Sequence, residues 1–321
     1  MELLKIAEVS KYYTNKQGIF FKNKEIVKAV DKVTLLLNKG ETLGLVGESG
    51  CGKSTLALII MMLEFPSSGK IIFKGDDITN LKEEKLKDFR KSVQIIFQDS
   101  YSSLNPRQTA LDIIGEPLKN FYEMSNDKYI AKIRNLMELV GLNSDDIFKY
   151  PHEFSGGQRQ RINIARALAL KPELVICDEP VSNLDVSVQA QILNLLKDLK
   201  KKFKLSYIFI SHDLSAVDYI SDRIAVMYLG KIVEVFKKNK LLKDKHHPYT
   251  KTLLEVIPLP NPDSKMNWEY IKKSSPSKAV DVQKGCRFSS RCVYSKEICR
   301  HEEPELKKIN DDHWIACHFI K

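Results

Sequence analysis

The chain has 321 residues, 43% of them hydrophobic and 29% charged, which excludes a wholly disordered or fibrous chain. Its length leaves room for about two domains and a sizeable core. Lys and Arg total 51 against 41 Asp and Glu, and the net charge of +10 admits an anionic partner (nucleotide, nucleic acid or membrane surface) without choosing one.

No stretch reaches the roughly 18 to 20 apolar residues of a membrane helix. The best candidate, residues 56–63, is too short and runs into Glu64, Pro66 and Gly69. The N-terminus lacks a basic region followed by an apolar core, so no secretory signal is read there. A chain made and kept in the cytosol, with reduced thiols, is expected. Six cysteines are few for a disulfide scaffold.

In chain order, residues 3–9 and 26–37 read as strands joined by a turn at Gly18 and Asn23. Residues 42–46 form a buried strand that runs into a glycine-rich turn and a helix starting near Lys53. Strands follow at 71–73 and 92–97. Residues from about 105 to 172 are mostly helical, with helices at 109–118, 127–140 and 157–170. Then strand and helix alternate: strand 174–177, helix 186–203, strand 206–210, helix 214–220. Residues 223–228 and 231–236 form a hairpin around Leu229-Gly230. The alternation predicts a largely parallel sheet covered by helices, with a helical insertion. The run Ile257-Pro258-Leu259-Pro260-Asn261-Pro262 cannot continue a helix and reads as a linker to a tail holding four of the six cysteines.

The strongest motif is Gly47-Glu48-Ser49-Gly50-Cys51-Gly52-Lys53-Ser54-Thr55. It fits G-x-x-x-x-G-K-[ST], with a strand before it and a helix after it. Its glycines let successive backbone N–H groups curl around phosphate oxygens, and the helix N-terminus adds a favourable dipole. Lys53 is expected at the β and γ phosphates and the Ser54 hydroxyl on Mg²⁺. Downstream, the strand Leu174-Val175-Ile176-Cys177 ends in Asp178 and Glu179. Carboxyl ends of parallel strands border the ligand crevice. Asp178 suits Mg²⁺, directly or through water, and Glu179 suits polarising an attacking water. Either motif alone has a bland reading, a ligand-free turn or an acidic strand end. Together they imply nucleoside triphosphate hydrolysis.

Between them lies Phe154-Ser155-Gly156-Gly157-Gln158-Arg159-Gln160-Arg161. Here the sequence resembles the ATPase subunits of ATP-binding cassette transporters, whose signature motif Ser155, Gly156, Gly157 and Gln158 match, with Phe154 where Leu is usual. Gln98, in Ile95-Ile96-Phe97-Gln98-Asp99, resembles the family glutamine that touches Mg²⁺ and couples to membrane subunits. Ser182-Asn183-Leu184-Asp185 resembles the loop that crosses to the partner ATPase, with Asn183 where Ala is frequent. His212, in Ile210-Ser211-His212-Asp213, resembles the switch histidine at the γ-phosphate. Tyr13 matches the aromatic that stacks on adenine, with Tyr12 as the adjacent register. Taken singly, this histidine, glutamine or tyrosine would read as structural, and it is their order that carries the match.

The resemblance covers roughly residues 1–255. It implies an α/β P-loop NTPase with a mostly parallel sheet, an N-terminal antiparallel β subdomain and a helical signature subdomain at about 100–172. Residues 256–321 are expected as a proline-rich linker and a small Cys-rich metal-binding extension. It also implies a head-to-tail dimer, in which the signature closes the γ-phosphate site of a second subunit. The helix after the signature is expected to begin near Gln158, exposing N–H groups suited to an anion. Its arginines Arg159, Arg161 and Arg166 read as solvated or structural.

Ser102-Ser103-Leu104-Asn105-Pro106-Arg107, His247-Pro248-Tyr249-Thr250-Lys251 and Lys28-Ala29-Val30-Asp31 resemble the dipeptide and oligopeptide importer branch. That branch implies a second, non-identical ATPase subunit, two membrane permease subunits docked through the segment between Gln98 and Ser155, and an extracytoplasmic peptide-binding protein indirectly. The chain is then peripheral on the cytoplasmic face of the membrane. A nickel importer of the same branch is one alternative. A soluble cassette ATPase acting on DNA or ribosomes is another, disfavoured by the single cassette and the absence of a long coiled-coil insertion, so no nucleic acid is expected.

Cys286, Cys292, Cys299 and Cys317 are separated by gaps of five, six and seventeen residues. Cytosolic clustering favours a metal over disulfides. The gaps exceed those of common zinc sites and differ from ferredoxin spacing, so spacing names no metal. In the importer branch such a tail resembles a 4Fe–4S site, with Zn²⁺ or free thiols as alternatives. Lys284, Arg287, Arg291 and Arg300 are expected to offset thiolate charge. His301, His313 and His318 are substitute ligands or, more simply, surface residues. Cys51 reads as a small filler within the loop, and Cys177 as a buried hydrophobe.

Overall fold

The computed structural model describes residues 1–15, 25–81, 83–99, 103–238, 245–255 and 284–320. The turn at Gly18 and Asn23, Ser102 and the proline-rich linker lie outside the described residues. In chain order the first elements are β1 (Glu2–Asn15), β2 (Glu25–Asn38), β3 (Thr42–Val46), α1 (Lys53–Ile60), β4 (Ser68–Phe73), β5 (Asp76–Asp77), α2 (Glu83–Ser92) and β6 (Val93–Ile96). Next come α3 (Ala110–Phe121), α4 (Asn126–Leu139), α5 (Gly156–Leu168), β7 (Leu174–Asp178), α6 (Val186–Phe203), β8 (Ser206–Ser211) and α7 (Leu214–Ile220). The chain continues through β9 (Arg223–Tyr228), β10 (Lys231–Lys237), α8 (Pro248–Glu255), α9 (Glu297–His301), β11 (Lys307–Asn310) and β12 (His313–Ile315). The chain divides into two compact units.

One unit comprises Met1 and residues 38–42 and 80–210. Its strands β6, β7 and β8 pair in parallel, with Val93 opposite Leu174 and Leu174 opposite Ser206. Parallel neighbours need a crossover, which α6 supplies between β7 and β8. Helix α6 buries Ile192, Leu193, Leu196 and Leu199, the stripe of a one-sided helix. It stops at Lys204, in the left-handed region at φ 54°, after Lys200, Lys201 and Lys202 place positive charge at the negative end of the dipole. All five residues of β7 are buried, as the apolar run predicts. Helices α3, α4 and α5 form the helical segment of this unit.

The other unit comprises residues 2–37, 43–79 and 211–321. It holds the expected antiparallel sheet, in the order β2-β1-β4-β5. A second run of strands follows the order β11-β12-β10-β9-β3. Here β3 and β9 are parallel, with Val46 opposite Val226, and the remaining pairs are antiparallel. The β9–β10 hairpin turns through Leu229 at φ 43° and Gly230 at φ 84°, the two positive angles of a tight turn that matches strand twist. The tail joins this sheet directly, because β12 pairs with β10 at Val235 and Trp314. Among the described residues no helix is long and apolar enough to cross a membrane.

Candidate active site

Strand β3 is buried at every position and delivers the chain into the phosphate loop. Two glycines there are sterically obligatory. A Cβ on Gly47 would lie 2.2 Å from the Met227 carbonyl oxygen. Gly52 sits at φ 108°, and its Cβ would lie 2.0 Å from the Ala29 carbonyl oxygen. Lys53 is buried, and its ammonium donates to the carbonyls of Gly47 at 2.7 Å and Glu48 at 2.9 Å. The cation is therefore held across the loop, while Ser49, Gly50 and Ser54 are exposed and Thr55 half-buried. Gly52 caps α1 without a side chain, which leaves the first N–H groups of that helix for an anion. Cys51 is buried, and burial pushes its thiol up against the opposing pull of Lys53, so it packs as an inert filler.

Two supports of this loop were not assigned to it from the sequence. The Glu48 N–H donates to the Tyr249 hydroxyl at 2.8 Å, and the Glu48 carboxylate takes both terminal nitrogens of Arg291 at 2.8 and 2.9 Å. Tyr249 lies in the His-Pro-Tyr-Thr stretch, the one signal that points to it. On β1, the Tyr12 hydroxyl is committed to Asp31 at 2.6 Å, whereas Tyr13 is 39% exposed. Tyr13 is thus the more exposed of the two, with the Lys11 ammonium 5.3 Å from its ring centre.

In the other unit, β7 ends in Asp178, followed by Glu179, and both are buried. Glu179 adopts φ 48°, a left-handed angle unusual for a residue with a side chain, while its N–H donates to the Ile210 carbonyl at 2.9 Å. Gln98, exposed just beyond β6, donates its amide to the Glu179 carboxylate at 3.0 Å. The two residues singled out from distant motifs therefore meet.

The signature forms a reciprocal helix cap. Ser155 Oγ accepts the Gln158 N–H at 3.3 Å, and the Gln158 side chain accepts the Ser155 N–H at 2.9 Å. Helix α5 consequently starts at Gly156, earlier than the expected start near Gln158. Gly157 allows close packing on α6, since a Cβ there would lie 2.5 Å from the Val188 side chain. Arg159, Arg161 and Arg166 donate to the carbonyls of Phe154, Val140 and Ser103, a structural use as expected. Asp185 occupies the cap position of α6 and is exposed, as are Asn183 and His212.

Cys286, Cys292, Cys299 and Cys317 line one cavity of about 500 Å³. Two of them are tied together by the Cys286 N–H donating to the Cys299 carbonyl at 2.7 Å. Burial pushes the Cys286 thiol up to about 11, and the neighbouring thiols add to the shift. A thiol held up in this way is protonated at neutral pH and is a poor nucleophile. Arg287 and Arg291, expected to offset thiolate charge, direct hydrogen bonds elsewhere, Arg287 to Asp31 and the Leu229 carbonyl and Arg291 to Glu48. One expectation is corrected here. His313 is not a surface residue but is buried against Glu234 at 2.7 Å. His301 is exposed and half-buried His318 contacts the Glu302 carbonyl at 3.0 Å.

Glu234 is fully buried and faces His246 and His313, each at 2.7 Å. The His247 N–H at 3.0 Å and the Thr250 hydroxyl complete its partners. Burial opposes its ionisation, yet the hydrogen bonds from His246 and His313 hold its carboxyl below the usual range. Four donors satisfy the charge, so this triad is a hub joining β10, β12 and the start of α8.

Residues 30–182 match the ABC transporter family model, and residues 233–299 match that of the oligopeptide/dipeptide transporter C-terminal region. The oligopeptide transport ATP-binding protein AppF of Bacillus subtilis is 50% identical over 99% of this chain and 97% of its own length. The dipeptide transport ATP-binding protein DppF of Haemophilus influenzae is 44% identical over 99% of this chain and 97% of its own. An ATP-binding cassette solved as a dimer with ADP and Pi superimposes with a TM-score of 0.65 at 29% identity, covering 74% of this chain and 99% of its own. Phosphate loop, carboxylate-ended strand and signature cap thus coincide with full-length similarity, and the chain belongs to the ATPase subunits of the ATP-binding cassette transporter family, in its oligopeptide/dipeptide branch.

Proposed function

We propose that this chain hydrolyses ATP to power import of dipeptides or oligopeptides through membrane permease subunits. The carrying observation is Glu179, a buried carboxylate with left-handed backbone directly after Asp178, gripped by Gln98 at 3.0 Å. Holding such a backbone costs on the order of 1–3 kcal/mol, and strain of this kind persists where a side chain must be aimed. Glu179 orients and polarises the attacking water, and Gln98 fixes the rotation of its carboxylate. Lys53 and His212 stabilise charge on the γ-phosphate. The backbone of Gly47, Glu48, Ser49, Gly50, Cys51, Gly52 and Thr55 cradles the phosphates, and Tyr13 stacks on adenine. Ser54, Gln98 and Asp178 offer a hydroxyl, an amide and a carboxylate, an all-oxygen set that suits Mg²⁺. Bound with ATP, that ion neutralises charge on the phosphoryl oxygens.

Ser155, Gly156, Gly157, Gln158 and Asp185 act on the nucleotide held by a second, non-identical ATPase subunit. The exposed cap of the 13-residue helix α5 supports this role, since its N-terminus faces solvent. Two permease subunits dock on the helical segment, where a cleft of about 580 Å³ borders α2 and α3. An extracytoplasmic peptide-binding protein feeds them, and the chain works on the cytoplasmic face of the membrane. The four tail cysteines hold a 4Fe–4S cluster. The cavity they line supports this, having room for a polynuclear group rather than a lone ion.

The test is Glu179→Gln in complex with its partner subunits. ATP turnover should fall on the order of 10²- to 10⁴-fold, as for loss of a general base. A wild-type rate overturns the mechanism. Uptake of peptides but not Ni²⁺ by reconstituted vesicles checks the solute. Iron and sulfide analysis after oxygen-free purification checks the cluster against zinc.

A further inference from the structure

Each of two arginines sits next to a tail cysteine in the chain, Arg287 after Cys286 and Arg291 before Cys292. Both reach towards the phosphate loop. Arg291 grips Glu48, a loop residue, with two parallel hydrogen bonds at 2.8 and 2.9 Å. A planar guanidinium fixes the carboxylate in rotation as well as distance, which an ammonium does not. The guanidinium is itself held, 5.7 Å from the Tyr228 ring centre and 5.5 Å from that of Phe288, with its Nη1 also 3.4 Å from the Tyr228 hydroxyl. Tyr228 packs on Tyr249, whose hydroxyl takes the Glu48 N–H. Glu48 is thus held at both its backbone and its side chain by groups far away in sequence.

The second arm runs through backbone. Arg287 donates to the Leu229 carbonyl and to Asp31. The Gly230 N–H then donates to the carbonyl of Cys51, inside the loop, at 2.8 Å. Asp31 also accepts the Tyr12 hydroxyl at 2.6 Å, one residue from Tyr13. Neither arginine faces the anion position directly, so neither is a catalytic residue.

We propose that Arg291 is a positioning residue for the phosphate loop, through which the cysteine site sets the affinity for nucleotide. Arg287 supports the same loop from the Leu229-Gly230 turn. The carbonyls that hold Lys53 belong to Gly47 and Glu48, so freeing Glu48 loosens the seat of the phosphate-binding cation. Losing the group held by the thiols frees the backbone on which both arginines are mounted. This inference rests on the readings that the loop binds ATP and that the four thiols hold a metal group.

The experiment uses the full chain, purified without oxygen, and a fluorescent ATP analogue with Mg²⁺. Arg291→Lys keeps the charge and loses the bidentate geometry. Its Kd should rise roughly 3- to 30-fold, the usual span of coupling through a positioning contact. Glu48→Gln should produce a similar rise, and the two together little more than either alone, as expected for one shared contact. Cys292→Ser should raise Kd in the same direction and add little to Arg291→Lys. Each Kd is read well below the unfolding midpoint of that variant, so a merely structural arginine would lower the midpoint and leave Kd unchanged. An unchanged Kd in folded Arg291→Lys and Arg291→Ala, or effects of Glu48→Gln and Arg291→Lys that multiply independently, overturns the inference alone. Lys53→Ala in the same assay checks the underlying reading. If wild type fails to bind the analogue, or binds no better than Lys53→Ala, the function reading falls and takes this inference with it.

Discussion

The phosphate loop and the cysteine-bearing tail are held by opposite kinds of contact. Within the loop, Lys53 reaches carbonyls six and five residues away, at Gly47 and Glu48. The tail is anchored by Arg291 to Glu48 and by Arg287 to Asp31, across 243 and 256 residues. The first arrangement joins groups within one short stretch of chain. The second arises only once the strands have assembled. Closing so long a loop adds little entropy cost beyond that of a shorter one, which lets a distant tail serve as a brace. A local site should therefore fail through single-residue chemistry, and the tail through loss of any of several distant partners.

The sharpest break of the local site is Lys53→Ala. It removes the buried ammonium that spans the loop. ATP turnover by the assembled transporter should drop on the order of 10²- to 10³-fold, the range for losing one preorganised charge-stabilising donor. Steady-state phosphate release measures it, and a drop below tenfold would show that the loop backbone suffices.

The tail side breaks through pH. His247 is buried, its Nδ1 accepts the Tyr249 N–H at 3.1 Å, and the Ala316 backbone engages the ring. Burial pushes its pKa down to about 4, against 6.5 for an ordinary histidine. Above the ordinary value the ring is neutral whether folded or unfolded. Between that value and the depressed one, only the unfolded chain takes up the proton. Stability should therefore fall with acid by roughly 1.4 kcal/mol per pH unit across this window. Glu234, with its carboxyl held low, adds a loss at more acid pH, as protonation reaches its folded-state value. Urea unfolding at pH 7.5, 6.5 and 5.5 measures the slope, and His247→Gln should flatten it.

Legibility in the sequence followed the same divide. Strand β3 and helices α6 and α7 were read with the boundaries they have, because an apolar run or a 3.6-residue stripe is a local signal. The turn between β3 and a helix starting at Lys53 was also read, because the glycine pattern is local. Helix α2 was not anticipated, since in Glu-Glu-Lys-Leu-Lys-Asp-Phe-Arg-Lys-Ser only Phe89 is deeply buried and no apolar face repeats. The tail hairpin was not read either, because the polar strand Lys-Lys-Ile-Asn is held by pairing to β12, which in turn pairs with β10. Glu234 drew no reading from the sequence, yet it is fully buried, because His246 and His313 arrive from other elements. The pairing of Gln98 with Glu179 was legible only as a shared role, since 81 residues separate them.

A smaller effect tests the glycine half of the comparison. Gly52→Ala forces an L side chain to φ 108° with its Cβ against the Ala29 carbonyl. The cost should be about 2 kcal/mol or more, from backbone strain. Thermal unfolding reads it, accompanied by weaker nucleotide binding. The counterpart Gly50→Ala carries a similar angle, φ 77°, but nothing lies within 4 Å of the added carbon, so its cost should be smaller.

The smallest effect asks whether a local contact stays local. Thr109 caps α3 by accepting the Asp112 N–H at 3.3 Å, and its hydroxyl donates to the Asp112 carboxylate at 2.7 Å. The hydroxyl bond from Thr109 holds the Asp112 carboxyl below its ordinary range. Thr109→Ala removes both contacts and should cost about 1 kcal/mol, the usual worth of a helix cap. The partners are three residues apart, and Arg291, Glu48 and Lys53 belong to the other unit. Denaturant unfolding should therefore move while the Kd for the ATP analogue stays at its wild-type value. Arg291→Lys should do the reverse, moving Kd more than it moves stability. If Thr109→Ala shifts Kd as much as Arg291→Lys does, nucleotide affinity follows overall stability, and the long-range brace has no separate part in setting it.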